Sequence, residues 1–309
     1  MVDNIGDLAF FATMKGTLIR LHAAVFLWGF TGVLGRAISL NEGWLVWWRM
    51  LITVISLWVL FYSLKKINRI PLKDFLKIAA IGTVLSIHWL FFYGSIKYAN
   101  VSIALTCLST TGLLSAVIEP LFFRRKINPY ELALGIFALG GIALIYITNL
   151  SYSVGIFIGL LSAVFTVLVS VMNKKLITGY TAESITLYQL TGGFLGLTVL
   201  LPLYNFLFPA TRMVPHQWDW LWLVILSWCC TIFTFMLYIK ALRNISAFTL
   251  NLTLTLEPVY GIILAFLLYH ENKTLSSSFF IGFGLILLAV FLQMLRLIKQ
   301  HRRLPVNPL

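Results

Sequence analysis

The sequence predicts an all-α integral membrane protein, ten transmembrane helices arranged as two inverted five-helix repeats. Three observations predict it: a composition too apolar for water, ten apolar runs with basic charge on one side, and a likeness between the two halves. Of 309 residues, 60% are hydrophobic and 11% charged. A soluble domain carries about 25% charged residues, which keep its surface wet. A transmembrane helix needs roughly 20 apolar residues, so ten of them leave little chain for any separate soluble domain.

Division at polar and charged breaks places the elements. The first span, 18–38, follows Lys15 and contains Arg20 and Arg36, and the second, 44–64, carries Arg49 and stops at Lys65-Lys66. The third, 75–96, runs up to Lys97, and the fourth, 101–123, begins after Asn100 and stops at Arg124-Arg125-Lys126. The fifth, 130–148, is rich in glycine, and the sixth, 154–173, stops at Lys174-Lys175. The seventh, 184–207, precedes the longest clear loop, which contains proline, from Phe208 to Gln217. The eighth, 218–240, and ninth, 246–268, flank Arg243, and the tenth, 276–297, leads into a basic tail. Helices are the expected solution because each satisfies its own backbone hydrogen bonds in lipid.

With the N-terminus in the cytoplasm, 18 of the 23 Lys and Arg fall on the cytoplasmic side: Lys15, Arg20 and the clusters at 65–77, 124–126, 174–175, 240–243 and 296–303. The opposite side receives only Arg36, Lys97, Arg212 and Lys273, with Arg49 inside a span. This positive-inside bias predicts both termini in the cytoplasm, and the short termini fit a bacterial inner membrane. Basic residues that punctuate apolar runs do not form a nucleic-acid stripe. Cys107, Cys229 and Cys230 lie in apolar runs and imply neither a disulfide framework nor a metal site. The mixed start, with Asp3 and Asp7, shows no signal-peptide cleavage pattern. No cofactor is implied.

The halves echo each other. Asn100-Val101-Ser102 before span four matches Asn244-Ile245-Ser246 before span nine, 144 residues later. Gly135, Gly140 and Gly141 are echoed by Gly282 and Gly284. Five spans per half is odd, so the second half enters the membrane inverted, a transporter architecture with its site between the repeats. The expected units are 18–148, 154–298 and a tail over 299–309.

Several stretches resemble the EamA family of the drug/metabolite transporter superfamily. These are Trp28-Gly29, Arg49, Ala241-Leu242 with Ser246-Ala247, Leu256-Glu257-Pro258-Val259, and Leu267-Leu268-Tyr269-His270-Glu271. The resemblance covers about residues 20–298 and implies ten helices in two inverted repeats that export or exchange small metabolites. The chain departs from the family in two places: Arg125-Lys126-Ile127 stands where the family often places an acid, and span four carries an extra Glu119-Pro120.

Charged side chains deep in a bilayer cost roughly 2.5–3.5 kcal/mol, so each is a site candidate. Glu257, near the middle of span nine and before Pro258, is a candidate for a substrate ammonium or a coupling proton; the competing reading is a structural bond that pins a kinked helix. His88 is the other proton candidate, with an interhelical hydrogen bond as its alternative. Trp89 and Tyr93 beside it are candidates for stacking on an aromatic substrate, or for ordinary packing. Arg49 offers a donor fork to a carboxylate or phosphate, with snorkelling to the outer headgroups as the competing account. Tyr260 and Asn251 flank Glu257, and Thr110 and Thr111 form a small polar patch in span four that serves either substrate or packing. The expected function is a secondary transporter of metabolites such as amino acids or nucleobases, with coupling ion and oligomeric state open. No Walker A loop is present. The alternative is an intramembrane lipid-modifying enzyme, although neither His-Glu-x-x-His nor Gly-x-Ser-x-Gly occurs.

Overall fold

The computed structural model describes residues 2–124, 126–176, 179–237 and 256–301. Among them all regular structure is helical. In chain order the helices are α1 (Val2–Ala37), α2 (Glu42–Ser63), α3 (Leu72–Tyr98), α4 (Val101–Leu108), α5 (Thr111–Phe122) and α6 (Pro129–Thr148). They continue with α7 (Ser153–Leu176), α8 (Ala182–Leu207), α9 (Gln217–Ser227), α10 (Glu257–Tyr269) and α11 (Ser277–His301). The turn Trp228–Phe233, directly after α9, is π-helical.

Eight helical stretches among the described residues are long and apolar enough to cross a membrane, with α4 and α5 together making one of them. α10 has 13 residues, and the beginning of predicted span nine lies outside the described residues. The first predicted span, 18–38, matches α1 to within a residue at its end, Ala37, but α1 starts further upstream than expected. The outward surface is apolar: Phe206 is 80% exposed and Val199 78%. Such a surface is unfavourable in water and natural against lipid chains.

Side-chain caps set several helix starts. Asn41, Asn100, Asn128 and Thr181 each accept a backbone N–H of the first turn of the helix that follows. Span four differs from the expected continuous helix, because it is interrupted at Ser109–Thr110. There Ser109 and Thr110 hydroxyls donate to the Thr106 and Cys107 carbonyls, at 2.6 Å each, and this back-bonding competes with a regular helix ladder.

Glycine sets how closely α6 and α11 cross. A Cβ on Gly141 would lie 2.6 Å from the Gly282 carbonyl oxygen, and one on Gly282 would lie 2.6 Å from that of Gly141. Only the absence of side chains lets the two backbones touch. Elsewhere α3 packs on α7 and α8, α1 on α10, and α2 on α8 and α9. The main core gathers Leu45, Met50, Tyr93, Leu105, Leu226 and Ala265 from five of these helices.

Candidate functional site

Arg49 lies seven residues into α2, about 10 Å along the helix axis, and is only 3% exposed. This overturns the snorkelling account: the guanidinium turns into the bundle. Its Nη1 donates to the Tyr93 hydroxyl at 2.7 Å, and its Nη2 and Nε donate to Thr231 Oγ1 at 2.9 and 3.3 Å. Its face stacks 4.0 Å from the centroid of the Trp89 ring, a cation–π arrangement strengthened by desolvation. Trp89 and Tyr93 are one helical turn apart on α3 and so share a face. Thr231 sits in the π-helical turn, and its own hydroxyl donates back to the Leu226 carbonyl, five residues earlier, at 2.9 Å. Such turns are frequent at functional sites. Ser227 ties the same region to the Arg49 carbonyl at 3.1 Å.

No carboxylate lies within ion-pair distance of Arg49 among the described residues. Glu257, at the first position of α10 with Pro258 behind it, is half-buried and close enough for the Arg49 charge to act on it. Cys230, beside Thr231, is buried in the same neighbourhood. The arrangement is a buried cation held by neutral groups, with an acid nearby but not paired to it. Two of the five guanidinium N–H donors have no partner among the described residues, so the cluster is suited to receive an anionic or strongly accepting group.

The remaining candidates lie apart from this cluster. His88, on the neighbouring face of α3, turns to α7: its Nδ1 lies 3.0 Å from the Ser162 carbonyl oxygen, 2.9 Å from Ser162 Oγ and 2.7 Å from Thr166 Oγ1. That geometry ties two helices together, and the Ser162 carbonyl, which can only accept, favours a proton on Nδ1. Tyr260 packs its ring 5.7 Å from Phe26 of α1. Thr110 lines a small apolar cavity of about 70 Å³ between α5 and α6, while Thr111 opens α5. Asn251 lies outside the described residues.

The chain matches the EamA-like transporter family twice, over residues 16–147 and again over 153–295. It belongs to that family. It is also similar to the "Uncharacterized transporter YxxF" of Bacillus subtilis (strain 168), 25% identical over 260 residues that span 80% of each chain. A solved crystal structure superposes with a TM-score of 0.58 at 17% identity, over 89% of this chain and 95% of its own, a likeness of fold. Membership and relative together point to a membrane transporter rather than an enzyme.

In this EamA-like transporter the sequence named Glu271 only within a family-like stretch and did not signal the second polar cluster it forms, at the bundle end where α1 finishes. Glu271, just after α10 and 2% exposed, accepts the backbone N–H groups of Val101 and Ser102 at 3.1 and 2.8 Å and the Ser102 hydroxyl. It also pairs with Arg36. Nearby, Asp219 accepts the Ser39 backbone N–H at 2.7 Å and its hydroxyl at 2.6 Å. Tyr204 donates to Glu42 and Lys97 to the Ile38 carbonyl. Thr231 was equally silent in sequence, because a threonine in an apolar helix carries no spacing signal.

Proposed function

We propose that the protein is a secondary transporter, an exporter or exchanger of small metabolites such as amino acids or nucleobases, that works by alternating access. Substrate is held near the membrane midplane between two inverted five-helix repeats, 18–148 and 154–298, with a basic tail at 299–309. The observation that carries this reading is the buried Arg49, held by Tyr93, Thr231 and the Trp89 face with Glu257 in electrostatic reach. An ionised group at that depth is tolerated where it faces a substrate path. The double match to one transporter family supports the repeat, since each match spans half of the chain. The packing supports its inversion: α1 lies against α10 as α7 lies against α4 and α5, the exchange expected when first and fourth spans swap between halves.

In this reading Arg49, Trp89 and Tyr93 contact the substrate directly. Glu257 faces its cationic end or carries the coupling proton, and Thr110, Thr111, Tyr260 and Asn251 line the path. His88 holds α3 to α7 and is the second proton candidate. The protein sits in a bacterial inner membrane with both termini cytoplasmic, as the 18-to-4 distribution of basic residues argues.

Counterflow into proteoliposomes with labelled amino acids and nucleobases tests it. One compound class is expected to accumulate, and Arg49→Gln and Glu257→Gln each to cut its initial rate about tenfold or more, the equivalent of one charged hydrogen bond. Wild-type rates in both variants would remove the proposed site and leave the carrier.

A further inference from the structure

The buried Glu271 carboxylate is met by four donors, and it stands outside the proposed substrate site. Its carboxylate joins three elements that are distant in sequence. The first is the N-terminus of α4, through the Val101 and Ser102 backbone N–H groups and the Ser102 hydroxyl. The second is the end of α1, through Arg36. The third is its own α10–α11 corner, where Tyr269 lies under the Arg36 guanidinium at 4.3 Å and donates to the Val33 carbonyl at 2.9 Å. His270, in the left-handed conformation at φ 51°, turns the chain so that Glu271 enters this junction. A negative charge at a helix N-terminus is stabilised by the peptide dipoles, and charge-assisted bonds are about twice as strong as neutral ones. Each bond crosses from the first half of the chain to the second.

The repeat gives this junction a counterpart to look for at the other end of the bundle. A shift of 144 residues takes Asn100 to Asn244 and Ser102 to Ser246, and it takes Glu271 back to Ile127. Ile127 is 36% exposed, has no carboxylate, and follows Arg125-Lys126. The acid nearest after it, Glu131, pairs with Arg296 at 2.9 Å.

We infer that Glu271 is the catch of a one-sided gate: it holds the bundle shut at the end bearing Arg36 and Ser102, and because isoleucine stands at its repeat position, this shut state is the resting state of the carrier. The inference rests on the alternating-access reading above. Two packed states exchange populations by their difference in bonding. A junction present at one end and missing at the other biases that exchange without touching the substrate.

Spin-label distances in the full-length protein in proteoliposomes test this independently of transport. Labels go at Tyr98→Cys and Lys273→Cys, both exposed, in a Cys229→Ser background that keeps the buried Cys107 and Cys230. Wild type is expected to show one short-distance population. Glu271→Gln and Arg36→Gln are each expected to raise the ratio of long to short distances about tenfold, the loss of one charge-assisted hydrogen bond. Ile127→Glu, at an exposed position, is expected to raise the same ratio by supplying the missing acid at the opposite end. Distances unchanged in Arg36→Gln and Ile127→Glu overturn the gate, even if Glu271→Gln does not fold. A ratio that rises with Arg36→Gln but not with Ile127→Glu keeps the catch and overturns its one-sidedness. If distances respond while no compound is ever carried, the transport reading fails and the catch stands.

Discussion

Arg49 shows how much one side chain demands of its surroundings. A guanidinium cannot shed its proton, so burial obliges the bundle to supply acceptors, and Tyr93 and Thr231 do so from two other helices. Thr231→Val leaves two N–H groups unpartnered and is expected to lower stability by about 1–3 kcal/mol, read as an earlier thermal melt in detergent; Thr231→Ser should melt as wild type does. Arg49→Lys keeps the charge and loses the planar fork and the stacking on Trp89. It should therefore fold and transport poorly, with an initial uptake rate at least about tenfold lower. For His88 the bonds to Ser162 and Thr166 argue a helix tie. His88→Ala should cost about 1 kcal/mol or somewhat more and leave the initial uptake rate near wild type. Loss of proton-driven uptake with an unchanged melt would instead give His88 a coupling role.

At the scale of elements, interruptions carry the interest. The π-helical turn after α9 adds a residue to one turn and rotates Thr231 toward α2, and span four breaks where Ser109 and Thr110 bond back to their own helix. Close crossing matters as much. Gly282→Val places new atoms within 2.6 Å of the Gly141 carbonyl and should separate α6 from α11, at about 1–3 kcal/mol for an overpacked contact. Gly284 has nothing within 4 Å of a would-be Cβ, so Gly284→Ala should be neutral or slightly stabilising in the same melting assay. The glycines of spans five and ten are legible in the sequence as an echo. Which of them touch is not, because facing residues 141 positions apart, Gly141 and Gly282, are chosen by the crossing geometry.

For the whole molecule, the basic residues and the polar junctions act at different ranges. Lys and Arg at one set of helix ends set orientation during insertion. Alkaline phosphatase fused after Arg212 should be active and fused after Lys126 inactive; the reverse pattern would invert the proposed topology. At the other set of ends, Glu271, Asp219 and Glu42 are bonded to residues far away in sequence, which is the reason the ends of α1, α4 and α9 meet. Such bonds act between helices that have no hydrophobic force to join them within lipid.

The sequence by itself determined that the chain lives in lipid, roughly where its helices begin and end, and which charges fall inside apolar runs, because hydropathy and charge are properties of consecutive residues. It also singled out Arg49, Trp89 and Tyr93, since charge inside an apolar run and i, i+4 spacing are both local. Only the tertiary structure decided that these three form one cluster with Thr231 while His88, their neighbour by one position, faces α7 instead. It alone assigned Glu271 to the start of α4. A helix presents all its faces in sequence at once, and the choice among them is made by the neighbours it packs against.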